Sequence, residues 1–254
     1  MRITTDELAA VAEWLEQAEK VTALTGAGIS TESGIPDFRG PDGLWTRDPA
    51  AQRRASIQHY MASRQARVDA WRVRSEHPSR SADPNAGHVA LAELERKGRL
   101  HTLITQNIDS LHQRAGSSAS NVIEIHGTLR DVVCMSCGER RPMEAALERV
   151  RAGEDDPSCI ACGGVLKSAT ISFGQPLVAG LLEKAQAAAS ACDVFLAIGT
   201  SLSVLPAAYL PQRALQAGAR LVICNAESTR YDGRAHAVLR GPIGRTLTSL
   251  VALV

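Results

Sequence analysis

The chain has 254 residues, of which 44% are apolar, and its formal net charge is +1. This length allows a full hydrophobic core, and the near-neutral charge excludes a protein that binds nucleic acid or membranes through its overall electrostatics. The sequence has no apolar run of membrane-spanning length, and its N-terminus, MRITTDELAAVAEWLEQ, lacks the apolar core of a signal peptide. We therefore expect a cytoplasmic globular protein without a membrane partner.

The predicted elements alternate between helix and strand along the chain. Residues 4–19 predict an amphipathic helix, in which Thr4 and Glu7 have the spacing of a capping box. Helical patterns also cover Asn85 to Lys97 and Val178 to Ser190. Short apolar runs that end in small or polar residues predict strands buried on both faces, at 21–28, 99–107, 121–127, 193–200 and 219–226. This alternation predicts an α/β fold with a doubly wound, Rossmann-like parallel sheet.

Loops rich in Gly, Ser, Thr, Asn and Asp follow these strands. Because ligands bind beyond the carboxyl ends of parallel strands, we expect one site at the sheet edge, formed by residues 26–30, 106–109, 126–127, 199–201 and 225–227. Gly26 and Gly28 would let backbone N–H groups approach a phosphate. The Gly-Ala-Gly sequence alone is a weak signal, and a tight strand-to-helix turn without a ligand is the alternative.

Two segments interrupt the alternating pattern. Residues 46–80 contain eight arginines and three acidic residues, which predicts a solvated helical insertion. The second segment carries two Cys-x-x-Cys pairs, Cys134 with Cys137 and Cys159 with Cys162, separated by 21 residues. This spacing predicts one tetrahedral zinc with four thiolate ligands and no open position, hence a structural site, with a disulfide or redox pair as the alternative. Cys192 and Cys224 lie in apolar contexts and are expected to be buried thiols.

A series of motifs resembles the sirtuins, the NAD-dependent protein-lysine deacylases, and in particular their bacterial members. The motifs occur in the order GAGIS, GIPDFRG, GPDGLWT, TQNID, EIHG, the paired Cys-x-x-Cys, Phe173-Gly174, GTSL and NAE, and together they cover nearly the whole chain. The resemblance implies a Rossmann-like large domain of residues 1–45, 81–130 and 165–254. It also implies a small domain, made from a helical insertion at 46–80 and a zinc-binding insertion at 131–164, with NAD in the cleft between the domains.

The resemblance also implies the roles of individual residues. His126 would be the general base that acts on a ribose hydroxyl, so that the acyl group passes to ADP-ribose while nicotinamide, lysine and O-acyl-ADP-ribose are released. The acylated-lysine protein substrate would contact Ile171, Phe173, Gly174 and Val204. The positions matching NAD contacts are Gly26, Ala27, Gly28, Ile29, Ser30, Asp37, Phe38, Arg39, Trp45, Gln106, Asn107, Ile108, Asp109, Gly199, Thr200, Ser201, Asn225, Ala226, Glu227 and Ile243.

The sequence departs from the common sirtuin pattern near the substrate site. Lys167-Ser168 replaces Arg-Pro, and Gln175 replaces a glutamate, which affects the preference for peptide sequence. Sirtuins that remove succinyl or malonyl groups carry Tyr-x-x-Arg, whereas this chain has Trp71 and Arg74 at that spacing; we expect Trp71 to pack in a core and Arg74 to be exposed. A deacetylase is the main hypothesis.

Three alternatives remain open at this stage. They are a desuccinylase or demalonylase, a mono-ADP-ribosyltransferase that uses the same NAD site, and a non-catalytic zinc module that binds nucleic acid through the arginine-rich insertion. The near-neutral charge argues against specific nucleic-acid binding.

Overall fold

A computed structural model describes residues 3–41 and 43–254, and for residues 49, 52 and 53 it describes the backbone alone. The strands in these residues are β1 (Val21–Thr25), β2 (Thr102–Thr105), β3 (Val122–Glu124), β4 (Gly127–Cys134), β5 (Arg140–Pro142), β6 (Leu166–Thr170), β7 (Val194–Ile198), β8 (Arg220–Cys224) and β9 (Ala237–Leu239).

The α-helices of the described residues are given next, in chain order. They are α1 (Thr5–Gln17), α2 (Leu44–Arg47), α3 (Pro49–Arg54), α4 (Ile57–Ala62), α5 (Arg64–Ser75), α6 (Ala86–Arg96), α7 (Leu111–Arg114), α8 (Met143–Arg151), α9 (Leu181–Ala191), α10 (Leu210–Gln216) and α11 (Ile243–Val251). Short 3₁₀ helices cover Ala27–Ser33, Pro78–Arg80, Ala207–Tyr209 and Asp232–Arg234. No helix of the described residues is both long and apolar enough to cross a bilayer.

The main sheet is parallel, with the strand order β3-β2-β1-β7-β8-β9. This is the doubly wound, Rossmann-like order, so the predicted fold class is confirmed. Every residue of β1 and β7 is buried, because helices cover both faces of the sheet. One apolar core packs α1, α6 and α11 against the sheet, and a second packs α9 and α10 against its other face. The chain order reverses between β1 and β7, where such sheets bind ligands.

The predicted elements correspond to observed ones, with strands shorter than the apolar runs that predicted them. The capping box at α1 is present, since Thr4 Oγ1 accepts from the Glu7 N–H at 3.2 Å and a Glu7 carboxylate oxygen accepts from the Thr4 N–H at 2.8 Å. Asn85 caps α6 as predicted. The sequence analysis did not predict β9 or α11. β9 has only three residues and is partly exposed, so its sequence carries little strand pattern.

A second, antiparallel sheet has the order β5-β4-β6. It packs with α8 around a small core that includes Trp71, Val132 and Leu147. The helices α3, α4 and α5 lie in the arginine-rich segment, which is helical as predicted. β4 begins directly after His126 and continues across residues 130 and 131, the predicted boundary between the large domain and the zinc-binding insertion. The small sheet therefore starts beside the edge of the main sheet. The division into two domains stays a prediction.

Candidate active site

The loops after β1, β2 and β7 meet at the carboxyl edge of the main sheet. The Asn107 side-chain amide donates to the Gly26 carbonyl at 3.1 Å, and the Gln106 amide donates to the Thr200 hydroxyl at 2.8 Å. Gly199 donates its N–H to the Cys224 carbonyl, which ties the loop after β7 to the end of β8. The predicted convergence of these loops is therefore present in the structure.

Gly28 lies directly against Gly199. The Gly28 N–H donates to the Gly199 carbonyl at 2.9 Å, and the Gly26 N–H donates to the Ile198 carbonyl at 3.0 Å. A Cβ on Gly28 would lie 2.8 Å from the Gly199 Cα, which is too close for any side chain, and Gly199 itself has a φ of +60°. A phosphate at this loop would therefore have to be met by other N–H groups, and the expectation that Gly26 and Gly28 let backbone N–H groups approach one stays a prediction. These glycines let two loops touch, and their N–H groups are paired within the protein.

A buried hydrogen-bond network joins three predicted site residues. The Ser30 hydroxyl donates to an Asp109 carboxylate oxygen at 2.7 Å and accepts from the Asn107 amide at 3.0 Å. Asp109 also accepts the Leu111 N–H at 3.0 Å, which fixes the orientation of its carboxylate. Ile108, between Asn107 and Asp109 in the chain, accepts the Leu129 N–H through its carbonyl at 3.0 Å and so connects this loop to β4. Hydroxyl, amide and carboxylate groups therefore meet in one place with defined orientations.

Two histidines that no motif of the sequence singles out contact hydroxyl groups next to this network. His88 Nε2 is 3.4 Å from the Ser30 hydroxyl, and His112 Nε2 is 2.9 Å from the Thr25 hydroxyl. Burial lowers the pKa of His88, and it lowers the pKa of His112 to about 3, so both rings are neutral at physiological pH. The one available signal was their place among the apolar positions of α6 and α7, which indicates a buried ring without identifying its partners.

His126 stands at the end of β3, between the two sheets. Its Nδ1 lies 3.1 Å from the Gln106 carbonyl oxygen. Because a carbonyl oxygen only accepts, Nδ1 carries the proton, and Nε2 of the neutral ring has a free lone pair. Burial lowers the pKa of His126, an effect that the Gln106 hydrogen bond partly offsets. The ring is therefore neutral near pH 7 and able to accept a proton at Nε2.

The loop that carries Asp37, Phe38 and Arg39 packs on Trp45. The Phe38 and Trp45 ring centroids are 4.7 Å apart, and the Arg39 guanidinium lies 4.4 Å from the Trp45 ring centroid. Trp45 also contacts Phe173 at 5.4 Å between centroids, so the aromatic rings connect this loop to the Phe173-Gly174 segment. Asp37 accepts the Gly40 N–H at 2.8 Å, which closes the turn after Arg39.

The end of β8 carries Asn225, Ala226 and Glu227. Asn225 is buried and its amide donates to the Glu227 carbonyl at 2.8 Å, whereas Ala226 and Glu227 are exposed at the same edge. The Ser201 hydroxyl lies in the neighbouring loop, 2.7 Å from the hydroxyl of Ser203. Ile243 starts α11, and its side chain is buried in the core that contains Ile29. Asn225, Glu227 and Ser201 therefore extend the polar edge of the sheet beyond β7.

The segment after β6 lies beside His126. Ile171 donates its N–H to the His126 carbonyl at 2.8 Å. Phe173 exchanges backbone hydrogen bonds with the helical segment, donating to the Ala55 carbonyl and accepting from the Ile57 N–H, and Gly174, with a φ of +79°, follows it. Val204 belongs to the loop after Ser201 and accepts the Ala208 N–H through its carbonyl. His126 is therefore directly connected to the Ile171–Gly174 segment.

Trp71 and Arg74 differ in how well the sequence predicted them. Trp71 is fully buried in the small core, as expected. The expectation that Arg74 is exposed is wrong, because Arg74 is half-buried and its guanidinium stacks on the Tyr60 and Trp71 rings at 5.1 and 4.9 Å. Stacking on the two rings holds the guanidinium in this half-buried position, and residue spacing alone does not reveal such an interaction.

The four cysteines of the paired motif lie together in the small sheet. Their sulfur atoms are all within 4.8 Å of one another, with 3.5 Å between the Cys134 and Cys162 sulfurs and 3.8 Å between those of Cys137 and Cys159. Four thiolates around one tetrahedral zinc, with zinc–sulfur bonds of about 2.3 Å, have sulfurs about 3.8 Å apart, so the cluster fits this ion. Cys192 and Cys224 are buried elsewhere, as predicted.

The model of the Sir2 family matches residues 26–206. The chain is 52% identical over 231 residues to "NAD-dependent protein deacetylase 2" of Streptomyces coelicolor, covering 91% of this chain and 96% of the relative. It is 45% identical over 249 residues to "NAD-dependent protein deacetylase 1" of Pyrobaculum aerophilum, covering 98% and 95%.

Solved structures agree with these relatives. One described as "Structural Basis for the Mechanism and Regulation of Sir2 Enzymes" matches with a TM-score of 0.87 and 40% identity over 98% of both chains. Another, described as "Sir2-p53 peptide-NAD+", matches with a TM-score of 0.86 and 33% identity over 96% of both chains. The match extends over the main sheet, the small sheet and the site between them, and this chain belongs to the Sir2 family.

Proposed function

We propose that this protein is an NAD-dependent protein-lysine deacetylase, which transfers the acetyl group to ADP-ribose and releases nicotinamide and O-acetyl-ADP-ribose. The observation that carries the proposal is the hydrogen bond between His126 Nδ1 and the Gln106 carbonyl, which leaves Nε2 free as a base at the sheet edge. The names of the relatives and the NAD- and peptide-bound neighbours in the family support the same activity.

NAD would bind along the polar edge of the main sheet. The donors and acceptors there suit a dinucleotide, since Ser30, Thr200 and Ser201 supply hydroxyls, and the exposed Glu227 carboxylate suits a ribose. Asn107 and Asp109 would hold the nicotinamide side, where their orientations are fixed by Ser30. Arg39, held on Trp45, would close over the cofactor from the loop that carries Asp37 and Phe38.

When bound, NAD supplies an electrophilic ribose carbon and nicotinamide as the leaving group. His126 would accept a proton from a ribose hydroxyl at Nε2 while the Gln106 carbonyl holds the ring through Nδ1. The same hydrogen bond stabilises the imidazolium that forms. Phe173 and Trp45 would exclude water from the reacting atoms by covering the site between the two loops.

The acylated lysine would enter beside Ile171, Phe173 and Gly174, with Val204 on the opposite side. The backbone of the peptide would pair as a strand between the Gly174 segment and the loop around Val204. The two insertions, residues 46–80 and 131–164, would together form the small domain that flanks this entrance. Cys134, Cys137, Cys159 and Cys162 would hold one zinc, whose four protein ligands leave no position for a substrate, so its role would be structural.

A second candidate substrate is a lysine with an acidic acyl group, such as succinyl or malonyl. The observation that favours this substrate is that Arg74 is half-buried, with its Nη1 3.3 Å from the Tyr60 hydroxyl, and not exposed as the sequence predicted. Nucleic-acid binding is disfavoured because arginines of the helical segment are paired with carboxylates, including Arg67 with Asp156 at 2.8 Å.

The test is a panel of acetyl-, butyryl- and succinyl-lysine peptides of one sequence, incubated with NAD and followed by mass spectrometry. We expect deacetylated peptide and O-acetyl-ADP-ribose in equal amounts. Nicotinamide release with ADP-ribose left on protein would indicate ADP-ribosyl transfer instead. Turnover of the succinyl peptide alone would replace the deacetylase proposal with the acidic-acyl alternative.

A further inference from the structure

The loop after β8 turns three consecutive carbonyl oxygens towards one atom. The carbonyl oxygens of Asn225, Ala226 and Glu227 lie 3.0, 3.2 and 2.8 Å from Nη1 of Arg240. Carbonyl dipoles that converge on one point repel one another unless a cation stands between them. The curled shape of this loop therefore depends on the guanidinium of Arg240.

A carboxylate anchors the same guanidinium. Nη2 of Arg240 pairs with one oxygen of Asp232, and the other oxygen of Asp232 accepts from the Thr229 hydroxyl at 2.8 Å and from the Thr229 N–H at 3.1 Å. The side chains of Arg240 and Asp232 are only 26% and 25% exposed, so water screens this ion pair incompletely. Charge-assisted hydrogen bonds of this kind are stronger than neutral ones, and they fix the guanidinium beside the loop.

Arg240 connects two segments that are proposed to bind NAD. Glu227, whose exposed carboxylate suits a ribose, belongs to the loop that Arg240 holds. Ile243, another position that matches an NAD contact, starts α11, and only Gly241 and Pro242 separate it from Arg240 in the chain. The hydrogen bonds of one side chain therefore set the distance between the end of β8 and the start of α11.

The hydrogen bonds to Arg240 leave the N–H groups of the loop available to a ligand. The Glu227 carbonyl accepts from the Asn225 side-chain amide at 2.8 Å as well as from Arg240, so the carbonyls are paired within the protein. Among the described residues, no protein atom accepts from the Ala226 or the Glu227 N–H, and both residues are exposed. A ribose hydroxyl can accept from such an N–H and donate to the Glu227 carboxylate.

We propose that Arg240 is a positioning residue for the adenosine half of NAD. It holds the loop of Asn225 to Glu227 in its binding shape and ties this loop to the start of α11. The assignment rests on the proposed function, in which NAD occupies the polar edge of the main sheet. Arg240 acts on the affinity for ligands that carry adenosine and not on the chemistry, because His126 follows β3, which β2, β1 and β7 separate from β8.

The test is calorimetric titration of the zinc-loaded full-length protein with ADP-ribose, which contains the adenosine half of NAD. Arg240→Gln should weaken the binding of ADP-ribose about ten- to a hundredfold, because the loop carbonyls lose their charge-assisted partner. Arg240→Lys keeps a cation that can donate to the same carbonyls, so it should recover part of this loss. Arg234→Gln, which removes an exposed arginine of the neighbouring 3₁₀ helix, is the matched control and should bind ADP-ribose like the parent.

Steady-state kinetics distinguishes positioning from a general loss of structure. In Arg240→Gln the KM for NAD should rise, while kcat at saturating NAD and the KM for the acetyl-lysine peptide stay within about twofold of the parent values. A fall in kcat together with a higher peptide KM would mean that the whole site is damaged, and it would overturn the positioning role. If Arg240→Gln is unstable, Asp232→Asn provides the second reading, because it loosens the guanidinium and leaves the arginine in place. It should weaken ADP-ribose binding, and parent-like binding by Asp232→Asn would then overturn the proposal.

The calorimetric result also separates this assignment from the proposed function. Equal ADP-ribose affinity in Arg240→Gln and Arg234→Gln, or no recovery in Arg240→Lys, overturns the role of Arg240 and leaves the deacetylase proposal untouched. Absence of ADP-ribose binding to the parent overturns the proposed function, and the role of Arg240 with it.

Discussion

The imidazole Nδ1 of His126 lies 3.1 Å from the carbonyl oxygen of Gln106, the residue that follows β2. This hydrogen bond assigns the proton to Nδ1 and fixes the ring at the junction of the two sheets. The free lone pair at Nε2, which the proposed general base needs, therefore depends on the backbone that follows β2, and removing the ring leaves that backbone unchanged.

His126→Ala is expected to lower the deacetylation rate constant by about two to four orders of magnitude, the usual contribution of a general base. The affinity for NAD should change little, because the ring is proposed to move a proton and not to hold the phosphates. Deacetylation kinetics and calorimetric NAD titration check both parts. His59→Ala, an exposed histidine of α4, is the control and should behave like the parent. Near-normal turnover in His126→Ala would contradict the assignment.

The pH dependence of turnover should show the altered pKa of His126. Burial lowers this pKa below its usual value of 6.5, so the neutral, basic form dominates at pH 7. Turnover should therefore stay level as the pH falls towards 6.5 and decline only below it, as Nε2 becomes protonated. The measurement is kcat against pH at saturating NAD and peptide. An acid limb with its midpoint above 6.5 would be incompatible with a desolvated His126.

The sequence predicted the main sheet well because its strands are buried on both faces and form continuous apolar runs such as Val21–Thr25 and Val194–Ile198. The cysteine cluster could be predicted equally well, because two Cys-x-x-Cys pairs at this spacing indicate one metal site. Contacts between distant segments were not predictable in the same way. The stacking of Arg74 on Tyr60, and the burial of His88 against Ser30, join residues whose spacing carries no signal.

Gly28→Ala tests the close contact between the loops after β1 and β7. A Cβ at this position would lie 2.8 Å from the Gly199 Cα, and backbone atoms cannot move aside cheaply. We expect a loss of about 1–3 kcal/mol in the free energy of unfolding, together with weaker NAD binding. Gly233→Ala, where the added Cβ meets nothing within 4 Å, is the matched control and should change stability by less than about 0.5 kcal/mol. Urea unfolding of both variants decides the matter, and equal stabilities would refute the steric explanation.

The cysteine cluster should hold one zinc per chain and stabilise the small sheet. Replacing both Cys134 and Cys159 with alanine removes one ligand from each pair, so the metal should be lost and the small sheet should unfold. Elemental analysis of the purified proteins and circular dichroism check these outcomes. Cys192→Ala, which removes a buried thiol outside the cluster, should keep a full complement of zinc. Stoichiometric zinc in the double variant would show that the four thiolates are not the ligands.

The last prediction concerns Lys167, which is 1% exposed and whose Nζ donates to the Ser168 and Thr170 carbonyls. Burial, with a further contribution from the Arg74 charge, lowers the pKa of Lys167 from 10.5 to about 7. Between these two values the unfolded chain binds a proton at Lys167 that the folded chain has released. Stability must therefore increase with pH across this window, by up to about 1.4 kcal/mol per pH unit for one proton.

Lys167→Met keeps the length of the side chain and removes the titrating group, so this part of the pH dependence should disappear. The measurement is the free energy of unfolding in urea for the parent and Lys167→Met, at several values from about pH 7 to about pH 8.5 and with the same zinc content. Other groups titrate equally in both proteins, so the difference between the two curves isolates the lysine. Relative to the parent, the variant should gain stability towards the acid end of the range, because only in the parent must Lys167 lose its proton on folding. Parallel curves would mean that Lys167 keeps its proton in the fold, and that the carbonyls of Ser168 and Thr170 stabilise the ammonium more than burial destabilises it.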